Sequence, residues 1–295
     1  MASITTQLIN KRLISPPDWL SSNVMYEVMV GSVAYGVSNK TSDIDVLGFA
    51  IPRKEDVFPN LKGSIPGFDD IKVFEQFQEH HILDKKSNKG KDVEYDLTMY
   101  SIIKYFKLCL ENNPNMLDTL YVPQNCVIYI NSVGSMVRES RDLFIHKGCY
   151  QKMIRYAVSQ LHKMASQKRE GNRKEIFDKF GFDVKYAMHL VRLAYECEML
   201  LTEGSMDLQR HREHLKAIRR GEISEKDIRN WFSEKQLTLE KLYRESTIRQ
   251  VPAKDEVRQL LIDCLEHHYR TLENCFVNPN KEKQMLEQIR KILNE

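Results

Sequence analysis

Residues 31–50 read GSVAYGVSNKTSDIDVLGFA. A Gly-Ser turn opens the run. A loop later the chain enters an alternation of acids and aliphatics, Asp43-Ile44-Asp45-Val46. Residues 43–51 read as a strand that stops at Pro52, since proline supplies no donor to a sheet ladder. A side-chain period of two puts Asp43 and Asp45 on one face, roughly 6.5–7 Å apart at the Cα. Two carboxylates so placed repel unless a cation lies between them. A divalent ion such as Mg²⁺ takes oxygen ligands, and one or two carboxylates plus substrate phosphates suffice. Two such ions, ~3.5–4 Å apart, steady the attacking and leaving oxygens of an in-line phosphoryl displacement. That arrangement calls for a third carboxylate on a neighbouring strand. Gly31 lets a phosphate approach the backbone closely, a short helix starting there would offer free N–H groups to an anion, and Ser32 adds a hydroxyl donor.

Upstream of the quoted run, residues 26–30 (YEVMV) form a short apolar stretch ending at Gly31, which suits a buried strand. Downstream, residues 53–70 are rich in Pro, Gly and Asp and read as an excursion. Residues 72–78 and 92–98 look extended, and the turn-like KKSNKGK between them predicts a hairpin. Asp92, Glu94 and Asp96 alternate along the second of these strands, so all three share a face and period alone does not choose among them. From residue 100 to 110 the period becomes helical, and Asn113-Pro114-Asn115 is expected to end that helix.

The second half is almost all helix. Residues 148–164, 183–201, 211–220 and 256–272 carry apolar residues at i, i+3, i+4 and i+7, and Gly204 and Gly221 are expected to stop two of them. The expected fold class is therefore α+β: a mixed-sheet domain over residues 1–140, followed by an all-helical domain over residues 141–295. A chain of 295 residues with 42% hydrophobic content supports a substantial core. Charged residues at 29% and a mean hydropathy of −0.48 indicate a well-solvated surface. No apolar run reaches the ~18 residues that span a bilayer, and the opening residues lack a signal-peptide pattern. Six scattered cysteines with no CxxC read as reduced thiols, so a cytoplasmic location is expected, that of a host if the gene is a phage's. The net charge of +3 does not announce a nucleic-acid binder. Residues 163–174 (KMASQKREGNRK) hold five basic residues and one acid around a glycine, which reads as a solvated loop or a phosphate-contacting edge. His211 and His214 at i, i+3 have Arg210 and Arg212 beside them, which argues against a metal pair. His80-His81 and His267-His268 are adjacent pairs whose members point different ways in regular structure, and Tyr150, Tyr156 and Trp231 read as core aromatics.

The order of the elements (a Gly-Ser turn, a DxD pair on the next strand, a third acid on a later one) resembles the DNA polymerase β nucleotidyltransferase superfamily. Three blocks carry a closer resemblance: GSVAYGVSNKTSDIDVLG, DLTMYSIIKYFKLCLENNPNMLDTLYVP and KYAMHLVRLAYECEMLLTEG. They are similar to the predicted nucleotidyltransferases of bacteria and large phages, which include YcgL-like and RNA-ligase-associated proteins. The resemblance implies Gly31 and Ser32 as the nucleotide phosphate turn, and Asp43 and Asp45 as ligands of two Mg²⁺ or Mn²⁺ ions. It implies Asp96, at the head of the second block, as the third ligand, with Glu94 as the alternative and Asp92 less suited. It also weights the third block. Lys185, His189 and Arg192 fall within about a 60° arc of one helix. Periodicity alone reads them as a solvated stripe beside the apolar face, whereas the resemblance implies that they bind the nucleotide.

The activity implied is transfer of a nucleoside monophosphate from an NTP to an acceptor hydroxyl, with release of pyrophosphate. An RNA 3′ end, such as that of a tRNA, is the expected acceptor. A protein or small-molecule acceptor is one alternative. A non-catalytic nucleotide sensor or partner-binding protein on the same fold is another.

Overall fold

The computed structural model describes residues 2–39, 43–64, 69–71, 73–88, 91–165, 172–272, 275 and 289–290. The chain starts with α1 (Ile4–Asn10), β1 (Val24–Met29), the single turn α2 (Gly31–Ala34), β2 (Ile44–Ala50) and the short α3 (Lys54–Val57). Then come the hairpin β3 (Gln76–Asn88) and β4 (Lys91–Ser101), followed by α4 (Ile102–Leu110), α5 (Pro114–Tyr121), β5 (Val127–Ile130) and α6 (Ser132–Glu139). The rest is helical: α7 (Gly148–Ala165), α8 (Asn172–Phe180), α9 (Val184–Glu203), α10 (Arg212–Arg219), α11 (Glu225–Glu245) and α12 (Lys254–Tyr269). This is the α+β fold expected, a mixed sheet succeeded by helices.

The five strands run in the order β3-β4-β2-β1-β5. β2 and β4 are parallel, and the other neighbouring pairs are antiparallel. Period-two alternation sorts the two faces. Leu47, Phe49 and Ile51 join the large helical core, whereas Val46, Tyr95 and Leu97 pack with Leu8 of α1 on the opposite side. Glu27, fully buried on that opposite side, pins α1 by accepting the Thr5 N–H at 2.9 Å and the Thr5 hydroxyl at 2.5 Å. Because Asp45 is in phase with Leu47 and Phe49, its carboxylate faces the helices.

Several expectations change in detail. The hairpin strands are longer than the sequence suggests. Pro114 begins a helix rather than only ending one: Asn113 caps α5 by accepting the Asn115 N–H at 3.1 Å. Helix α11 was not expected, because only Ile228, Phe232 and Leu239 of its 21 residues are buried and its stripe is thin. Gly204, with φ +64°, caps α9 as expected, and Gly221 follows α10 with φ +73°. Residues 166–171, half of the basic stretch 163–174, lie outside the described residues. Among the described residues no helix is long and apolar enough to cross a membrane, and all six cysteines are free.

Candidate active site

The parallel pairing of β2 with β4 decides how the acids meet. In register, Asp45 lies directly opposite Asp96. Glu94 sits two residues back along β4, where it pairs with Leu83 of β3. Asp43 is exposed and precedes the first residue of β2. Burial, then Asp96 and Asp43, push the Asp45 carboxyl from its ordinary 3.8 up to about 6, while His80 and Lys185 pull the other way. The raised value reports negative charge crowded into a half-enclosed space.

Gly31 stands against this carboxylate. It takes φ +63°, and a Cβ there would come 2.2 Å from Asp45 Oδ2. Only a residue without a side chain fits between the turn and the acid. Gly31→Ala should therefore cost about 1–2 kcal/mol in stability for the left-handed backbone and displace the Asp45 carboxylate. A displacement of that kind, near 1 Å at a reacting centre, is worth about 100-fold in rate. Thermal unfolding and turnover, measured side by side, check that activity falls far more than stability.

The turn opens into a cavity of about 830 Å³. Gly31, Ser32, Asp43 and Asp45 form one wall, Lys185 and His189 of α9 another, and Lys216 and Arg219 of α10 with Arg220 at its C-terminal cap a third. A second cavity, about 380 Å³, shares Gly31, Asp45 and His189 and continues past His80 and Asp96. The acids thus lie at the junction of two spaces.

Two histidines that spacing left aside belong here. The register of β3 against β4 slips between Glu79 and Ile82, and His81 takes φ +56° in that bulge. The slip turns the His81 N–H onto Asp96 Oδ1 at 2.8 Å and brings His80 Nδ1 within 3.3 Å of Asp96 Oδ2. The His81 ring meets Glu94 at 2.6 Å, and that bond together with Asp96 raises its pKa. Asp96 is therefore held by the bulge, and Glu94 is engaged by a ring. A bulge of this kind re-aims side chains beside functional sites and leaves no mark in a hydrophobic pattern.

Arg192 departs from expectation. It is buried, not solvated, whereas Lys185 is only half-buried. Its Nη1 donates to Asp118 Oδ2 at 2.6 Å and to both Glu196 oxygens at 2.9 and 3.0 Å. Tyr35 donates to the same Asp118 oxygen at 2.6 Å, and the guanidinium lies 4.4 Å from the Tyr35 ring centre. Burial pushes the Glu196 carboxyl up against the pull of Arg192. The cation is committed to a buried network, although its edge reaches the smaller cavity.

Arg219 is the basic residue that the sequence did not single out. Its Nη1 donates to the Val37 carbonyl at 3.3 Å, burial lowers its pKa, and among the described residues no carboxylate pairs with it. By contrast, Lys216 is bound to Glu213 and Arg220 to Glu222. A half-buried guanidinium without a counter-ion, facing a cavity, is an anion site in waiting. Of the aromatics expected in the core, Tyr150 stacks on Tyr243 at 4.7 Å and Trp231 packs against Tyr195. Tyr156 instead is 39% exposed and lines the smaller cavity. His211 and His214 are occupied by Tyr195, through stacking at 3.7 Å and a 2.9 Å hydrogen bond.

Among the described residues no three His, Cys, Asp or Glu side chains already form a metal cluster, and Asp96 is turned toward the bulge. The donor chemistry still fits a hard divalent cation. Asp43, Asp45 and Asp96 offer only carboxylate oxygens, and burial together with the other two acids raises the Asp45 pKa.

The sheet order, with acids on two parallel strands under a helical cover, is that of a nucleotidyltransferase of the DNA polymerase β type. Within that class the chain belongs to the RNA repair pathway DNA polymerase beta family, RlaP, whose family model matches residues 7–272. Among solved structures, a nucleotidyltransferase-like protein from Exiguobacterium sibiricum 255-15 is similar at 11% identity. That match covers 89% of this chain and 72% of the other, with a TM-score of 0.29. No curated protein matches the chain.

Proposed function

We propose that the protein transfers a nucleoside monophosphate from an NTP to the 3′-hydroxyl of an RNA and releases pyrophosphate. The observation that carries this reading is the Asp45–Asp96 pair, in register beside Gly31, at the junction of two cavities. Mg²⁺ or Mn²⁺, two ions in all, would be held by Asp43, Asp45 and Asp96, and would supply charge neutralisation at the phosphates and a more acidic acceptor hydroxyl.

The protein's own groups do the rest. Gly31 leaves space for the phosphates beside Asp45, and Ser32 donates its hydroxyl to them. Lys185 and Arg219 neutralise the β- and γ-phosphates from the helical wall, and His189 hydrogen-bonds a phosphate or the ribose. An Asp96 carboxylate oxygen accepts the proton of the acceptor hydroxyl. The deprotonated acceptor oxygen then bonds the α-phosphorus as the bond from that phosphorus to the α,β-bridging oxygen breaks, and the electron pair leaves with pyrophosphate. The belonging to an RNA repair family supports RNA as the acceptor.

The test is incubation with each α-labelled NTP, Mg²⁺ or Mn²⁺, and a mixture of RNA and protein. Label in the RNA, with pyrophosphate released, is the expected result. Label in the protein fraction or in a small molecule would overturn the acceptor, and label nowhere would overturn nucleotidyl transfer itself.

The cations divide by role. Lys185→Ala and Arg219→Ala should each weaken NTP affinity about 10- to 100-fold, as for a lost charge-assisted hydrogen bond of ~1.5–3 kcal/mol, with the melting temperature nearly unchanged. Arg192→Ala should instead cost about 3–5 kcal/mol of stability, because it strands buried Asp118. Titration calorimetry with a non-hydrolysable NTP and thermal melts of all three variants separate the two behaviours.

A further inference from the structure

The smaller cavity has its own chemistry. Tyr156 and Gln160 of α7, Tyr186 of α9, Asn115 of α5 and Thr98 of β4 line it, and it ends at Asp96 and Asp45. Tyr156 presents a large aromatic surface to solvent instead of to the core. The side chains of Gln160, Asn115 and Thr98 make no hydrogen bond among the described residues, so each has capacity to offer a ligand. Along α7 the buried positions are Cys149, Met153, Ala157 and Met164. Helical periodicity sets Lys152, Tyr156 and Lys163 within about a 40° arc on one flank of that stripe, with Gln160 between them and the stripe and Arg155 farther round toward solvent. Arg155 is exposed and has no carboxylate partner among the described residues. Lys152 lies 3.7 Å from Glu111, and Lys163 Nζ lies 5.9 Å from the centre of the Tyr186 ring.

An aromatic face, amide groups and flanking cations, all next to the acids, suit one kind of ligand. An unpaired base stacks on tyrosine, its edges bond amides, and its phosphates meet Arg and Lys. Stacking on a side chain and bonding through the base edges both call for a base released from its partner. We infer that this cavity holds the 3′-terminal unpaired nucleotide of the RNA acceptor. Tyr156 stacks on the base, Arg155 and Lys163 flank the backbone, and the 3′-hydroxyl points to Asp96. The NTP and the acceptor then occupy separate cavities on either side of Asp45. The inference rests on the nucleotidyltransferase reading for its orientation, but the binding it describes is measurable without turnover.

The probe is a 5′-fluorescein single-stranded oligoribonucleotide with a free 3′-hydroxyl, read by anisotropy against the full-length protein without NTP. The same strand annealed to a blunt duplex serves as comparison. Tyr156→Ala should weaken single-strand binding about 5- to 150-fold, the range for loss of one stacked base, and Tyr156→Phe should retain it. Arg155→Ala should flatten the dependence of binding on salt. Calorimetric NTP affinity should not change in any of the three, and the blunt duplex should bind weakly and indifferently to Tyr156. The inference falls if Tyr156→Ala binds the single strand like the wild type, or if Tyr156→Phe loses as much as Ala. It also falls if label from NTP goes to protein while RNA affinity ignores these residues. A wild type that transfers label to nothing, yet binds the strand through Tyr156, would remove the enzymatic reading and leave this site standing.

Discussion

Exchanging both Asp43 and Asp45 for Asn should lower NTP turnover by about 10³-fold or more, since lost metal ligation removes several kcal/mol of transition-state stabilisation. The fold should survive and gain stability. Asp45 titrates at about 6 in the folded protein against an ordinary 3.8, so the native state holds this proton more tightly than the unfolded chain does. Native stability from this group is full below pH ~4 and is lost as pH rises through about 6. At pH 7 the wild type therefore carries a penalty on the order of 2 kcal/mol, which the amide removes. Melting curves at pH 4 and pH 7 test the sign: the double variant should gain over the wild type at pH 7 and not at pH 4. Added Mg²⁺ should raise the melting temperature of the wild type alone, by mass action on the native state. Turnover near that of the wild type would end the carboxylate mechanism.

Asp96→Asn should reduce turnover by two to three orders of magnitude, about 3–4 kcal/mol at the transition state. Glu94→Gln should cost less than about 10-fold, and Asp92→Asn should be nearly silent. The ranking follows from register, because Asp96 is the residue opposite Asp45, whereas Glu94 lies a pleat away with its carboxylate on the His81 ring. Single-turnover rates at saturating Mg²⁺ and NTP compare the three directly. A dead Glu94→Gln beside an active Asp96→Asn would shift the third ligand to Glu94.

What could be read from the sequence was local. Asp43, Asp45 and the acids of β4 follow from strand period, and Gly31 and Ser32 from a turn beside them. The pairing of β2 with β4 is long-range, so Asp96 and Glu94 stayed level until the family pattern weighted one. Helical period placed Arg192 near Lys185 but is blind to Asp118, 74 residues earlier, which draws it inward. The His80-His81 bulge, the approach of Arg219 to Val37 and the exposure of Tyr156 each depend on neighbours from distant segments. Helix α11 escaped notice for the opposite reason: it buries too little to make a stripe.

The Arg192 network fastens three separate segments at one point: α9, α5 through Asp118, and the turn after α2 through Tyr35. It acts as a clasp. For α9 to swing away from the sheet, buried Arg192 would have to leave Asp118 while Glu196 travels with its own helix, at a cost of several kcal/mol. Each 1.4 kcal/mol lowers an open population tenfold, so such an opened form stays well under one molecule in a hundred. Substrates must then come and go through the mouths of a framework already closed. Their exchange rates would be set by diffusion and phosphate contacts, with little contribution from a swinging lid.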